Sequence, residues 1–199
     1  MKGHNMTTDP PASGKQPASA PKKFRWRLLI FGAGALIIAI IIARQWGAHP
    51  LVGQPAPPFE AALLGGGTLD LSQHLGKDVV LLDFWATWCP PCRRGLPTIA
   101  ATAAAHHGKG AVVYAVNLME PETQVATYLR EANLTLPVAF DPDGGIARLY
   151  EVSSIPQTVF IGKDGIIRDV HVGVSAGFES AVKRQIAALL AETVVGNQD

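Results

Sequence analysis

The chain has 199 residues, room for one domain of ordinary size with appendages, and 48% of them are hydrophobic, which excludes global disorder. Seventeen Lys and Arg against 16 Asp and Glu leave a formal net charge of +1, which for the chain as a whole argues against a nucleic-acid binder and an acidic disordered tail. Only two cysteines are present, so neither a disulfide-stapled scaffold nor a Cys-rich zinc module is possible.

The charge is unevenly divided. Residues 1–48 hold seven basic residues and one acid, a net of +6, whereas residues 49–199 hold ten basic residues and fifteen acids, a net of −5. Residues 1–23 are rich in Pro, Ala, Ser, Gly and Lys without apolar periodicity, and are expected to be a disordered cytoplasmic tail. Leu28 to Ala43 is a sixteen-residue run without a charge, framed by Arg27 and Arg44. As a helix it spans about 24 Å against a bilayer core of about 30 Å. Trp26 and Trp46 at the two interfaces and snorkelling arginines close the gap, giving a single-pass anchor over residues 24–46. Lys15, Lys22, Lys23, Arg25 and Arg27 precede the run, and after Arg44 the next Lys or Arg is Lys77. The positive side stays in the cytoplasm, so the rest is expected to be extracytoplasmic, periplasmic in a bacterium, on the inner membrane. A cleaved signal peptide is the alternative, with Ile41-Ile42-Ala43 as the nearest cleavage site; no Cys follows the run, which excludes a lipoprotein signal. Residues 47–58 carry Pro50, Pro55, Pro57 and Pro58 and are expected to be a linker to a domain over residues 59–199.

Within that domain strands and helices alternate. A short strand is expected near Phe59–Leu64, followed by a turn at Gly65-Gly66-Gly67. Val79–Trp85 is a continuous apolar run, the mark of a strand covered on both faces. An Ala-rich helix from about Pro91 to His107, a strand at Ala111–Val116, a helix at Thr123–Ala132, a strand at Pro137–Phe140 and a short helix at Gly145–Tyr150 follow. Thr158–Ile161 and Ile166–Val172 flank Lys163-Asp164-Gly165, a hairpin signal, and Phe178–Glu192 carries a helical apolar stripe. The expected fold class is α/β, a central mixed sheet flanked by helices.

Both cysteines fall in Cys89-Pro90-Pro91-Cys92, immediately after the buried strand and at the start of the long helix. A helix N-terminus carries partial positive charge and free N–H groups, which favour a thiolate. Cys89, before the first turn, is expected to face solvent and attack; Cys92, one turn in, is expected to be more buried and to resolve. Pro90 and Pro91 fit the first turn, where a missing N–H costs nothing, and stiffen the loop of a redox-active Cys89–Cys92 disulfide. Zinc would need about two further ligands, and the six histidines offer no partner motif. A purely structural disulfide over so small a loop would constrain little of the unfolded chain. Asp83, six positions before Cys89 inside the buried strand, should have a raised pKa and can take the proton of Cys92; a strand-edge Asp bonded to a neighbour is the alternative. Pro156, if cis, would leave the backbone of Ile155 free to pair with an extended substrate, an ordinary turn proline being the alternative. Trp88 either packs beside the thiols or presents a flat contact surface. Arg93 and Arg94 either raise the local positive potential or lie on an exposed helix face, and Pro97 is expected to kink the helix. His106-His107 and Glu120-Pro121-Glu122 read as solvated helix-end and loop residues.

The segment Leu82-Asp83-Phe84-Trp85-Ala86-Thr87-Trp88-Cys89-Pro90-Pro91-Cys92-Arg93 resembles the active-site signature of thioredoxin-like proteins, nearest to the membrane-anchored TlpA/ResA/CcmG type. Ser154 to Ile161, followed by Asp164-Gly165, resembles that family's cis-proline segment, and Asn117 to Tyr150 its extra strand-helix insertion. The resemblance covers roughly residues 50–193. It implies a thioredoxin fold and thiol–disulfide exchange, usually in the reducing direction, outside the cytoplasmic membrane, with no cofactor. It also implies an electron donor of the DsbD or CcdA type and disulfide-containing clients such as apocytochrome c or the copper-site proteins of cytochrome oxidase. Two positions depart from the pattern. Many relatives carry Glu where this chain has Gly95, and many carry Asn where it has Asp83, which points to a more generic reductase. An oxidase or isomerase and a Cu(I)-binding module through Cys89 and Cys92 are the rivals. A thiol peroxidase lacks support, because Leu82 stands where its Pro-x-x-x-Thr/Ser-x-x-Cys pattern needs proline.

Overall fold

The computed structural model describes residues 49–192. The expected tail and membrane anchor therefore lie outside the described residues, among which no helix is long and apolar enough to cross a membrane. The described elements are β1 (Glu60–Ala62), β2 (Thr68–Asp70), β3 (Val79–Trp85), α1 (Pro90–His106), β4 (Ala111–Leu118), α2 (Glu122–Glu131), β5 (Val138–Asp141), α3 (Gly145–Leu149), β6 (Gln157–Ile161), β7 (Ile167–Val172) and α4 (Phe178–Ala191).

The main sheet has the order β5-β4-β3-β6-β7. β3 runs parallel to β4 and β4 parallel to β5, while β6 is antiparallel to both β3 and β7. The central place of β3 explains its unbroken apolar run, since all seven of its residues are buried. Its alternate residues feed two cores. Leu81 and Trp85 pack with Leu96 and Ile99 of α1, Val125 and Leu129 of α2, and Val182 and Ile186 of α4. Val80, Leu82 and Phe84 pack on the other face with Leu69, Leu71, Ile146 and Tyr150. Burying a side chain as large as Phe84 or Trp85 contributes roughly 2–3 kcal/mol of hydrophobic stabilisation.

The strand-helix order follows the sequence reading, with two differences. Thr68–Asp70 forms a short strand paired with β1, where the sequence suggested only a turn. Three residues carry no usable period, and the pairing arises because Leu69 is drawn into the core on that face. Part of the expected linker also belongs to the domain. The Gly53 N–H donates to the Ile167 carbonyl at 2.8 Å, the Ile167 N–H to the Gln54 carbonyl at 2.9 Å, and the Ala56 N–H to the Gly165 carbonyl at 2.9 Å. Ala56 is buried, and the Tyr150 hydroxyl donates to the Pro57 carbonyl at 2.8 Å. The prolines leave few donors in this stretch; Gly53 and Ala56 bond to the edge of the β6–β7 hairpin, and Val52 and Gln54 to carbonyls just before them. That hairpin turns at Gly165, whose φ of +80° is the left-handed geometry the Asp-Gly pair foretold.

Candidate active site

α1 starts at the carboxyl end of β3, and Cys89 is its N-cap residue, with Pro90 and Pro91 in the first turn. Cys89 and Cys92 form a disulfide, their Cα atoms 5.3 Å apart. The Cys92 N–H points at Cys89 Sγ at 3.2 Å. After reduction this donor and the helix N-terminus stabilise negative charge on the Cys89 sulfur. One expectation is corrected here. Cys89 is not open to solvent: it is 3% exposed, against 1% for Cys92. The two sulfurs differ less in burial than their places along the helix suggest, because the disulfide draws both under the loop that precedes β6.

That loop carries the second half of the site. The Ile155–Pro156 peptide bond is cis. The Ile155 carbonyl oxygen lies 3.7 Å from Cys89 Sγ, although the two residues are 66 positions apart. Among the described residues Ile155 has no backbone hydrogen-bond partner, so its N–H and C=O remain available to an extended polypeptide laid beside the disulfide.

Asp83 sits on the face of β3 that packs toward the cysteines, between Leu81 and Trp85, and is 3% exposed. Its cross-strand partner on β6 is Thr158, whose hydroxyl donates to Asp83 Oδ1 at 2.7 Å. Burial, only partly offset by this hydrogen bond, pushes the carboxyl up to about 7. An acid of that strength accepts a proton from a thiol near neutral pH and holds it without a lasting buried charge. Of the alternative reading, a strand-edge Asp bonded to a neighbour, the bonded neighbour is present in Thr158, but Asp83 lies in the middle of the central strand and not at an edge.

Trp88 is 64% exposed, so its ring presents a solvent-facing surface next to Cys89 in the chain and is not packed into the core. Arg93 and Arg94 are exposed on α1, and the Arg93 guanidinium stands 5.5 Å from the centre of the Tyr128 ring. Pro97 lies inside α1, which continues to His106. No group of three or more metal-ligating side chains occurs among the described residues.

A family model described as AhpC/TSA matches residues 52–170. The chain belongs to the AhpC/TSA family. It is 36% identical over 153 residues to the thioredoxin-like protein YneN of Bacillus subtilis, a match that covers 71% of this chain and 88% of that protein. It is 33% identical over 155 residues to the thiol-disulfide oxidoreductase ResA of Oceanobacillus iheyensis, covering 75% of this chain and 80% of that one. A solved structure assigned as a thiol:disulfide interchange protein DsbE from Chlorobium tepidum superposes with a TM-score of 0.65 at 36% identity, covering 70% of this chain and 98% of that one. This family member is a thioredoxin-like protein of the TlpA/ResA/CcmG type and an oxidoreductase, and its reaction is thiol–disulfide exchange at Cys89 and Cys92.

Gly95 is closely packed in this oxidoreductase. A Cβ at Gly95 would stand 2.8 Å from Val174 Cγ2 and 3.3 Å from Phe178 Cε1. Any side chain there must push aside the Val174 side chain and press on the Phe178 ring. Gly95→Ala gains up to about 1 kcal/mol of helix propensity but incurs about 1–3 kcal/mol of overpacking. A net loss of about 1 kcal/mol is expected in urea denaturation, and an unchanged or raised midpoint would refute the packing account.

The sequence reading missed Glu120. Far from a solvated loop residue, it is 8% exposed and accepts four kinds of donor. The Thr87 N–H bonds it at 2.7 Å, the Asn117 amide at 2.8 Å and the Gln124 amide at 2.6 Å, and the Thr87 hydroxyl completes the set. The available signal was Asn117, a polar residue at the end of an apolar strand, which a buried site keeps only with a partner.

Proposed function

We propose that this protein is a membrane-tethered, extracytoplasmic reductase of disulfides in client proteins. Reduced Cys89, as thiolate, attacks one sulfur of the client disulfide. A mixed disulfide forms, and the first client thiolate leaves and takes up a proton. Cys92 then gives its proton to Asp83 and its sulfur attacks Cys89 Sγ, releasing the second client thiolate and leaving the Cys89–Cys92 disulfide. Two electrons pass from the dithiol to the client. A membrane-embedded dithiol carrier, of the DsbD or CcdA type by family resemblance, restores the reduced form. Apocytochrome c or copper-site proteins are the client classes that resemblance suggests, and the absence of an acid at position 95 favours a broader client range.

The observation that carries this reading is the placement of Ile155: its carbonyl lies beside Cys89 and its backbone has no backbone partner among the described residues, so a polypeptide strand can be held while its disulfide is opened. The similarity to ResA and to a DsbE structure supports the reaction, and the basic flank ahead of the apolar run supports the topology. The direction is tested by the reduction potential of the Cys89–Cys92 pair, measured by equilibration with glutathione. A value near about −270 mV, that of a reducing carrier, is expected; one near about −120 mV would mark an oxidase and overturn the reading.

A further inference from the structure

Four large apolar side chains are exposed among the described residues, Val172 and Leu149 at about half and Trp88 and Met119 the most, at 64% and 63%. Single exposed apolar residues are ordinary, but Trp88 and Met119 are linked through their chain neighbours. Trp88 follows β3 and Met119 follows β4, neighbouring parallel strands in which Trp85 is aligned with Asn117. The residue next to Trp88 is Thr87, the residue next to Met119 is Glu120, and Thr87 and Glu120 are joined by the two hydrogen bonds from the Thr87 N–H and hydroxyl. Gln124 braces both partners, its amide reaching Thr87 Oγ1 at 2.9 Å as well as the Glu120 carboxylate.

Met119 also adopts φ +53°, the left-handed region, where glycine is at ease and a long side chain is uncommon. Its backbone N–H is bonded to the Asp141 carbonyl at 3.0 Å, and its sulfur leans toward Gly144, 3.8 Å from where a Cβ on that residue would stand. The fold therefore keeps a flexible apolar side chain, unburied, at a position whose backbone suits glycine. Packing does not account for it. Methionine adapts to varied partners, and an aromatic ring supplies a rigid contact.

We propose that Met119 is a specificity-determining residue, a second apolar contact beside Trp88 for client polypeptides with apolar side chains near their disulfide, and that Glu120 is the positioning residue locking the two loops together. This rests on the reading of the protein as a reductase of protein disulfides, and it names the client chemistry that site takes.

The test is the rate constant for oxidation of the reduced protein in single turnover by two disulfides. One is insulin, whose cysteines have apolar neighbours; the other is bis(2-hydroxyethyl) disulfide, too small to reach either loop. Met119→Gly is expected to lower the insulin-to-small-disulfide ratio about five-fold, in line with losing most of one apolar contact, while thermal stability stays level or rises. Glu120→Gln, which turns an amide toward donors, should lower the same ratio. A Met119→Gly ratio within two-fold of the parent overturns the contact, as does an equal fall with both disulfides. An unchanged ratio in Glu120→Gln overturns the clamp. Because the readout is a ratio of rate constants, it judges the contact even if the reduction potential overturns the direction of the reaction.

Discussion

Cys89→Ser takes disulfide exchange to the uncatalysed background, measured as turbidity in dithiothreitol-driven insulin reduction. Serine keeps the shape of the N-cap and can still accept the Cys92 N–H, so α1 starts as before. What is lost is the sulfur. An oxygen at this position forms no mixed disulfide with a client, and Cys92, one turn inside the helix where the N-terminal field is weaker, does not replace it. Cys92→Ala has the complementary result: Cys89 still attacks, nothing resolves, and the mixed disulfide accumulates as a covalent adduct whose mass names the client. Insulin reduction surviving in Cys89→Ser, or adducts forming on Cys92 in that variant, would overturn the assignment of roles.

Asp83→Asn separates two consequences of one buried carboxyl. The first is kinetic. Asp83 accepts a proton only when ionised, so resolution of the mixed disulfide in the parent protein accelerates as pH rises through about 7. The amide accepts none. Resolution then falls about a hundred-fold at neutral pH, and its pH dependence moves up toward the ordinary range of a free thiol, about 8.5. The second consequence is thermodynamic. The folded carboxyl titrates near 7 and the unfolded one near 3.8, so between these values the folded state binds more protons than the unfolded state. Stability is therefore full below about 3.8 and is lost as pH rises to about 7, by up to about 4 kcal/mol at 1.36 kcal/mol per unit. The amide keeps the Thr158 hydrogen bond without the charge. The oxidised variant should accordingly match the parent in urea denaturation at pH 4 and exceed it at pH 8. A parent stability that is flat between pH 4 and pH 8, or a variant with the parent's resolving rate, would sink the account.

Much of the fold was legible because its signals are local. The seven apolar residues of β3 announced a strand covered on both faces, and the Ala-rich stretch after two prolines announced α1 within a residue of its start. The Asp-Gly turn between β6 and β7 and the apolar stripe of α4 were equally plain. Less legible were features that depend on what a segment packs against. The Pro-rich stretch before β1 reads as a spacer by composition, and only the β6–β7 edge beside it turns Gly53 to Ala56 into paired backbone. Glu120 lies in a Met-Glu-Pro-Glu sequence with every mark of a surface loop, yet the alignment of β3 with β4 brings Thr87 to it across 33 positions. The depth of Cys89 is hidden from the sequence for a similar reason, since the Ile155 carbonyl that lies against it is 66 positions away.

Local sequence alone shows one redox pair, its place where a buried strand meets a helix N-terminus, and a strongly basic end ahead of an acidic domain. Those are properties of neighbouring residues, set by period, capping and charge over a few turns of chain. The fold adds how far burial raises the Asp83 carboxyl, to about 7, that a carbonyl 66 residues away borders Cys89, and that Glu120 ties two loops together. Each of these depends on the dielectric and the donors that other strands bring to the same place, and a carboxylate or a sulfur acquires its reactivity from that surrounding rather than from its neighbours in the chain.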